Sequence, residues 1–543
     1  MRKERRRMKR NQQKRRDAAT RRAEAKGGAP GRGRHQRSEF FKQQEDEAPT
    51  APLPSVTNAR QVAFRVLDDH LQSGQFVGSL LESVLWSAQI NEPAERRLAT
   101  ELANGIVRRQ LTLDAIIKKF VDRPVDQIEP RLQTLLWLGA YQLVLASGIK
   151  SHAAVDETVE LARWCGEERW TGFLNGVLRS IDRSVEAAAE NSDSGSIVTE
   201  HSPRAVPLDL EPTEGDSADP GEQRYRLLDR DVFSGLHDIP RFLSAAFGLP
   251  LWLVIRWERR FGSDRLFRLA SAFNYRPPLT LRVNSRKTTR DEVLELLRDQ
   301  AAEKVASESD ENSPGPRQRI FGEGRLPNTI WCKGAGNPVK LPGFAEGLFT
   351  VQDETAMSAA LLLDPQPRQR VLDLCAAPGT KSTHLAELME NQGSVLAVDS
   401  DATRLERVPE NAGRLGLNIV DTATVKDDLS DLSKGPFDAI LVDVLCSNTG
   451  VLGKRPEVRT RLRRGDVEEL ADLQLKLLTA AAERLAPGGR LVYSTCSIEP
   501  EENSGVVSRF LENTFGIRLE ETREFFPGDP SDGGFQALLI KEA

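Results

Sequence analysis

The sequence predicts a multidomain chain, with an all-α front domain, a small α+β linking domain and a C-terminal α/β domain with a doubly wound sheet. Three observations predict it. The 543 residues suffice for about three domains at roughly 150 residues each. From about 58 to 182, apolar residues recur at three and four positions, the helical period. From Val351 onward, short apolar runs alternate with helix-length segments, as buried parallel strands alternate with crossover helices.

Taken in order, residues 1–57 read as a disordered basic arm. Residues 1–42 hold 17 Lys+Arg against 4 Asp+Glu, whereas the remainder carries 58 against 76. The formal net charge of -5 therefore conceals a basic arm on an acidic body. The arm has too few apolar residues to offset chain entropy. Its spaced cations suit phosphate contacts, and a solubilising tail is the alternative. No apolar stretch follows the charges as a secretory signal requires. The longest uncharged stretch, between Arg131 and Lys150, contains Gln133, Gln142 and Ser147 and reads as a buried helix, not a membrane span. A cytoplasmic protein is expected. The five cysteines form no CxxC pair, so free thiols are expected, without structural zinc or a disulfide framework.

Within 58–182 the helical spacing is carried by Val62, Leu67 and Leu71, then Leu132, Leu135, Leu136 and Leu138, then Val155, Val159 and Leu161. Residues 183–222 are rich in Ser, Pro, Gly and acids and read as a disordered linker. Residues 223–345 form the linking domain, with helical stretches around 249–272, a strand at 279–284, a helix at 290–301 and a polar insertion at 307–318. The α/β domain occupies 346–543.

Its first strand, 371–374, opens into Cys375, Ala376, Ala377, Pro378, Gly379, Thr380, Lys381 and Ser382. Small residues there let a ligand approach the backbone at a helix N-terminus. Neither a Walker P-loop nor a GxGxxG fingerprint is present. The next strands end at Asp399 and near Asp428, and an acid 26 residues after Asp373 suits ribose hydroxyls. A nucleoside-containing cofactor fits this strand-end crevice, the alternative being a purely structural sheet. Two later strands deliver cysteines, Asp443-Val444-Leu445-Cys446 and Thr495-Cys496-Ser497. A single free cysteine is usually a small buried hydrophobe. Two thiols at one sheet edge point instead to a functional cleft.

In the order "DLCAAPGTKS", "AVDSD", "LVDVLCSNTG" and "YSTCSIEPEEN", the chain resembles the S-adenosylmethionine-dependent RNA cytosine-5 methyltransferases of the RsmB/Sun (NOL1/NOP2/Sun) type. The segments at 250–284 and 352–356 resemble what precedes the catalytic domain in that family. Residues 131–179 resemble its NusB-like RNA-binding front domain. The resemblance implies a Rossmann-like methyltransferase domain and an S-adenosyl-L-methionine cofactor held by 375–381, Asp399, Asp428 and Asp443. It makes Cys496 the nucleophile toward carbon 6 of cytosine, Asp443 the acid at the base's N3/N4 edge and Cys446 the thiol that assists product release. Lys381 and the helix dipoles are candidates for thiolate activation.

The chain departs from the family pattern at Val444 and Leu445, where Ala-Pro is usual, at Thr380, where glycine is usual, and at "DGGFQALL" near the end. The reacting groups are all present. The expected substrate is 16S ribosomal RNA, free or partly assembled, with the protein a monomer and no metal or membrane partner. A flipped or looped-out base must reach the thiol, and Lys454, Arg455 and Arg459 in "GKRPEVRTRLRR" are the expected RNA contacts, a solvated helix face being the alternative. Transfer RNA, DNA, or a non-catalytic RNA-binding or antitermination role on the same scaffold are the rival readings. DNA enzymes take their nucleophile from a Pro-Cys motif that this chain lacks.

Overall fold

The computed structural model describes residues 52–186, 197–198, 201–209, 224–275, 278–307, 319–426, 429–528 and 532–543. The basic arm to residue 51 and Asp428 lie outside the described residues.

The front of the chain is helical, with α1 (Ala59–Ser73), α2 (Val77–Ser87), α3 (Pro93–Ile117), α4 (Pro130–Val144), α5 (Ser151–Trp164) and α6 (Thr171–Ser184). Asn58 caps α1 by accepting from the Gln61 amide, and Gly74 ends it in the left-handed region at φ 67°. The uncharged stretch expected to be a buried helix is α4, buried over nearly its whole length. Gly105 of α3 permits this packing, since a Cβ there would lie 2.1 Å from the Tyr141 hydroxyl. No helix among the described residues is long and apolar enough to cross a membrane.

The linker reading of 183–222 is corrected in part. Strands β1 (Ile197–Val198) and β2 (Ala205–Pro207) flank β3 (Tyr225–Leu227) in an antiparallel sheet. Ala205 and Val206 are fully buried, and the Pro207 carbonyl accepts from the buried Arg109 guanidinium at 2.6 Å. Average composition hid this short apolar island, which is ordered by contact with the helices and not by its own propensity.

Helices α7 (Ile239–Phe247), α8 (Leu251–Phe261) and α9 (Ser263–Asn274) share one core with the front helices, where Phe242, Trp257 and Phe273 join Leu102, Leu135 and Leu178. Leu452 and Ile498, from the two cysteine loops, complete that core. The separate α+β unit begins only at β4 (Leu279–Val283). With α10 (Arg290–Ser307), β5 (Ile320–Glu323), β6 (Thr329–Lys333) and β7 (Phe349–Val351), it forms a four-stranded antiparallel sheet of order β5-β6-β4-β7 and its own core. Helix α10 runs six residues past the end read from sequence.

The last layer is a seven-stranded sheet preceded by α11 (Glu354–Leu363). Its elements are β8 (Arg370–Leu374), α12 (Thr380–Leu388), β9 (Ser394–Asp399), α13 (Ala402–Leu405), α14 (Arg407–Leu415), β10 (Val420–Thr424), β11 (Phe437–Asp443), α15 (Val458–Arg461), α16 (Asp466–Glu483), β12 (Leu485–Thr495), α17 (Ser504–Glu512), β13 (Ile517–Phe525) and β14 (Gly534–Lys541). The order is β10-β9-β8-β11-β12-β14-β13, parallel from β10 to β12 and antiparallel at β14 and β13. From β8 the chain adds β9 and β10 on one side and then returns to place β11 on the other, so the order of connection reverses between β8 and β11 while the strands stay parallel. That switch opens a crevice at the carboxyl ends of these strands.

Candidate active site

Every described site residue predicted on a strand end lies at this crevice. After β8, Cys375 takes a left-handed conformation at φ 65°, and Gly379, at φ 92°, starts α12. A side chain at Gly379 would be strained by this φ and would meet Val408 at 2.9 Å. Ala376 and Ala377 are buried beneath the turn, Pro378 is exposed, and Thr380 opens the helix. At the end of β9, the Asp399 carboxylate accepts from the Ala377 and Asp401 amides at 3.0 and 2.9 Å. Each oxygen thereby retains acceptor capacity for a further donor.

Asp443, at the end of β11, accepts from the Lys381 ammonium at 2.6 Å. Burial works against the Lys381 charge, but Asp443, with Asp373 and Cys496, more than offsets it and holds its pKa above the ordinary lysine value. Asp373, inside β8, is fully buried, accepts from the Ser382 hydroxyl at 2.6 Å through one oxygen, and has no partner for the other among the described residues. Burial, reinforced by Asp443 and Asp399, pushes its pKa up to about 7.

The donor and acceptor set suits the cofactor implied by the resemblance. Small residues leave room at the backbone, Asp399 offers acceptors to sugar hydroxyls, and Asp373 carries an orphaned buried oxygen. The crevice floor is therefore anionic, and Lys381 is its counter-charge.

The two thiols meet in the loops that follow the neighbouring strands β11 and β12. Cys446 Sγ lies 3.0 Å from Cys496 Sγ, and both cysteines are free. Cys446 is buried and Cys496 is partly exposed. The hydrogen bond to Cys496, with burial and the charge of Glu502, holds the Cys446 thiol well above its ordinary pKa. Cys446 therefore holds its proton. Asn448 closes the ring by accepting from Cys496 at 3.2 Å and donating to the Cys446 carbonyl at 2.9 Å.

Sequence reasoning missed the groups that hold the thiol loops. The carboxylate of Glu502 is buried and accepts from the Ser447 amide at 2.8 Å, the Ser447 hydroxyl, the Ser497 hydroxyl at 2.5 Å and Gln474 at 2.9 Å. Its backbone carbonyl accepts from Tyr493 at 2.6 Å. Burial raises the Glu502 pKa in spite of these donors. Asn503 joins Thr495 at 2.6 Å to the Ser497 carbonyl at 2.9 Å. Glu499 ties the Cys496 loop to α8 by accepting from Trp257 at 2.9 Å and Arg256 at 2.5 Å. The signal was present in "EPEEN", whose acids and amide follow the cysteine at fixed offsets.

One expected RNA contact is corrected. Arg459 is buried, and its guanidinium donates to the carbonyls of Arg108, Phe247 and Phe273 at 3.0, 2.9 and 2.6 Å and to Asn274 at 2.9 Å. The charge run is expected to face RNA, but α15 is a single turn that aims this arginine into the junction of front helices and α/β domain. Lys454 is held between Asp353 at 2.5 Å and Asp532 at 2.8 Å. Arg455 is exposed and lies over the Phe76 ring, which Arg461 also approaches.

Comparison with known proteins also finds three parts, with the linking part beginning at the helices before β4. The family described as 16S rRNA methyltransferase RsmB/F matches residues 360–537, the NusB family matches 57–183, and the ferredoxin-like domain of RsmF/B-like methyltransferases matches 249–312. The probable ribosomal RNA small subunit methyltransferase B of Synechocystis is 32% identical over 470 residues, covering 86% of this chain and 91% of its own length. Its counterpart from Salmonella paratyphi C is 33% identical over 503 residues, covering 90% of this chain and 100% of its own. The crystal structure of PH0851, at 24% identity and a TM-score of 0.65, covers 90% of this chain and 100% of its own and shares the fold. The likeness to these relatives runs through the front helices and the crevice alike, and the chain belongs to the ribosomal RNA small subunit methyltransferase B family.

Proposed function

We propose that the protein methylates carbon 5 of a cytosine in 16S ribosomal RNA through a covalent adduct on Cys496, acting as a cytoplasmic monomer on free or partly assembled RNA. The observation that carries this reading is the thiol pair, 3.0 Å apart at the crevice mouth with only Cys496 partly exposed. A cytosine carbon 5 is a poor nucleophile until a thiolate bonds to carbon 6. Cys496 supplies that thiolate, being the partly exposed member of the pair, while the buried Cys446 holds its proton. Asp443 meets the N3/N4 edge of the base, with Lys381 holding its orientation at 2.6 Å. Residues 375–381, Asp373, Asp399 and Asp443 would hold S-adenosyl-L-methionine, which would supply the electrophilic methyl group. Once carbon 5 is methylated it gives its proton to a water molecule, the ring double bond re-forms as the sulfur–carbon 6 bond breaks, and the adjacent Cys446 thiol protonates the departing Cys496 sulfur, regaining its own proton from solvent.

The front helices and the linking segment grip RNA so that one cytosine reaches the thiols, and exposed Arg455 beside Phe76 contributes to that grip. The test is incubation of purified protein with labelled S-adenosylmethionine and ribosomal RNA. Cys496→Ala abolishes transfer, and Cys446→Ala accumulates a denaturation-resistant protein–RNA adduct. An adduct with Cys496→Ala in place of Cys446→Ala would reverse the two roles. RNA binding without transfer by the unaltered protein would sink the enzymatic reading.

A further inference from the structure

We infer that Cys446 and Cys496 are also a peroxide-responsive thiol pair, which closes to a reversible intramolecular disulfide and switches the site off. Three features of the pair carry this. The sulfurs are 3.0 Å apart, so a bond needs a movement of about 1 Å to reach ordinary disulfide length. The accessible member is Cys496, at the crevice mouth, while Cys446 lies buried directly behind it. That is the disposition of a reacting thiol with a resolving thiol at hand. Third, Asn448 bridges the two cysteines, accepting from the Cys496 thiol at 3.2 Å and donating to the Cys446 carbonyl at 2.9 Å, so the loops hold the sulfurs in register.

The remaining cysteines are placed differently. Cys332 is buried in the small α+β core, and burial pushes its thiol up to about 12. Cys165 packs against the helical core, and burial likewise pushes it up to about 12. Burial, reinforced by Asp399, Asp443 and Asp373, pushes the Cys375 thiol up to about 12.

The chemistry balances with hydrogen peroxide as the two-electron oxidant. The Cys496 thiolate attacks one peroxide oxygen, the O–O bond breaks, and hydroxide leaves as water after taking a proton. Cys496 becomes a sulfenic acid. The Cys446 thiol then loses its proton and attacks the Cys496 sulfur, and the sulfenic hydroxyl departs as a second water. Two thiols and one peroxide give one disulfide and two waters. A dithiol reductant reverses the change through exchange. The loops need not unfold for this, because Glu502 and Asn448 already hold them together. The disulfide consumes the nucleophile, and it protects that sulfur from irreversible oxidation to sulfinic acid.

The test uses the full chain, reduced and then treated with graded hydrogen peroxide, with the remaining thiols alkylated and the peptides mapped by mass. The fully reduced protein shows five alkylated cysteines. The expected oxidised product keeps three, with one cross-linked pair of peptides containing Cys446 and Cys496 and a loss of about 2 Da. Dithiothreitol restores all five. In Cys446→Ser the cross-link is absent and Cys496 proceeds to sulfinic acid that dithiothreitol does not reverse. Cys165→Ser, remote from the site, still forms the cross-link. Sulfinic Cys496 in the unaltered protein, or Cys446 still alkylatable after Cys496 has been oxidised, would overturn the inference. The thiol count reads the switch whether or not RNA is methylated, so its failure is separable from failure of the proposed reaction.

Discussion

The crevice has two walls, built on opposite principles. On the thiol wall, the buried carboxylate of Glu502 receives four hydrogen bonds from three residues and joins the loops carrying Cys446 and Cys496. On the cofactor wall, the equally buried carboxylate of Asp373 receives one from Ser382 and leaves an oxygen without a partner among the described residues. A saturated buried acid fixes geometry, whereas an unsaturated one is costly unless a ligand or proton satisfies it. The thiols are preorganised by protein groups alone. On the other wall, the second oxygen of Asp373 is left for a ligand or a proton to satisfy.

The strongest way to break this contrast is at Glu502. Glu502→Ala strands the Ser447 amide and hydroxyl, the Ser497 hydroxyl and the Gln474 amide in a buried space. The expected cost is about 4 kcal/mol, from several unsatisfied donors at roughly 1–3 kcal/mol each with partial relaxation. Urea unfolding measures it, and methyl transfer should fall at least tenfold even in the folded fraction. An unchanged denaturation midpoint would mean that the thiol wall does not depend on this acid.

Next in size is Arg459, which anchors the chain downstream of Cys446 to the front helices. Arg459→Ala removes donors to the Arg108, Phe247 and Phe273 carbonyls and to Asn274, with an expected loss of about 3 kcal/mol. Its effect on the salt dependence of RNA binding should be negligible. Arg455→Ala should do the reverse, shifting stability by less than about 0.5 kcal/mol and reducing the salt slope by about one. Equal salt slopes for the two variants would contradict the division between anchoring and contacting arginines.

Asp373 tests the other wall. With a folded pKa raised to about 7, its carboxyl stays protonated in the folded protein where the unfolded chain has already ionised. The folded state therefore binds the extra proton, and Asp373's contribution to stability falls as pH rises from about 4 to 7. Asp373→Asn should remove that slope, a gain at pH 8 of up to about 4 kcal/mol on the full difference and smaller if the site relaxes. Cofactor binding, followed by calorimetry, should weaken about tenfold if the free oxygen meets the ligand. Unchanged affinity with the pH slope removed would make Asp373 a structural acid only.

The same contrast explains what could be read from sequence. Strand-end residues such as Cys375, Asp399, Asp443 and Cys496 follow from short apolar runs, because a parallel sheet delivers the residue after each run to one edge. Glu502 and Gln474 do not follow, since each acts from a helix or turn whose approach depends on tertiary packing. Arg459 was misplaced for a related reason. A run of arginines carries no information about which one a single helical turn directs inward. The β2 strand was missed because three apolar residues in a polar stretch become a strand only when neighbouring helices cover them.

Leu445 lies where the walls meet, and its replacement should have the smallest effect. Its side chain is 47% exposed, so Leu445→Pro removes little buried surface. Its carbonyl, which accepts from Gln474 at 2.9 Å, survives the change. What is lost is the backbone N–H, whose hydrogen bond eases the Cys375 thiol downward against the larger effect of burial. Stability should therefore move by less than about 0.5 kcal/mol and methyl transfer by less than about threefold. Alkylation of Cys375 should become slower, because a thiol deprived of a donor ionises less readily. A tenfold loss of transfer would show instead that the Cys446 loop needs the freedom a proline removes, and that the thiol wall is less rigid than its hydrogen bonds imply.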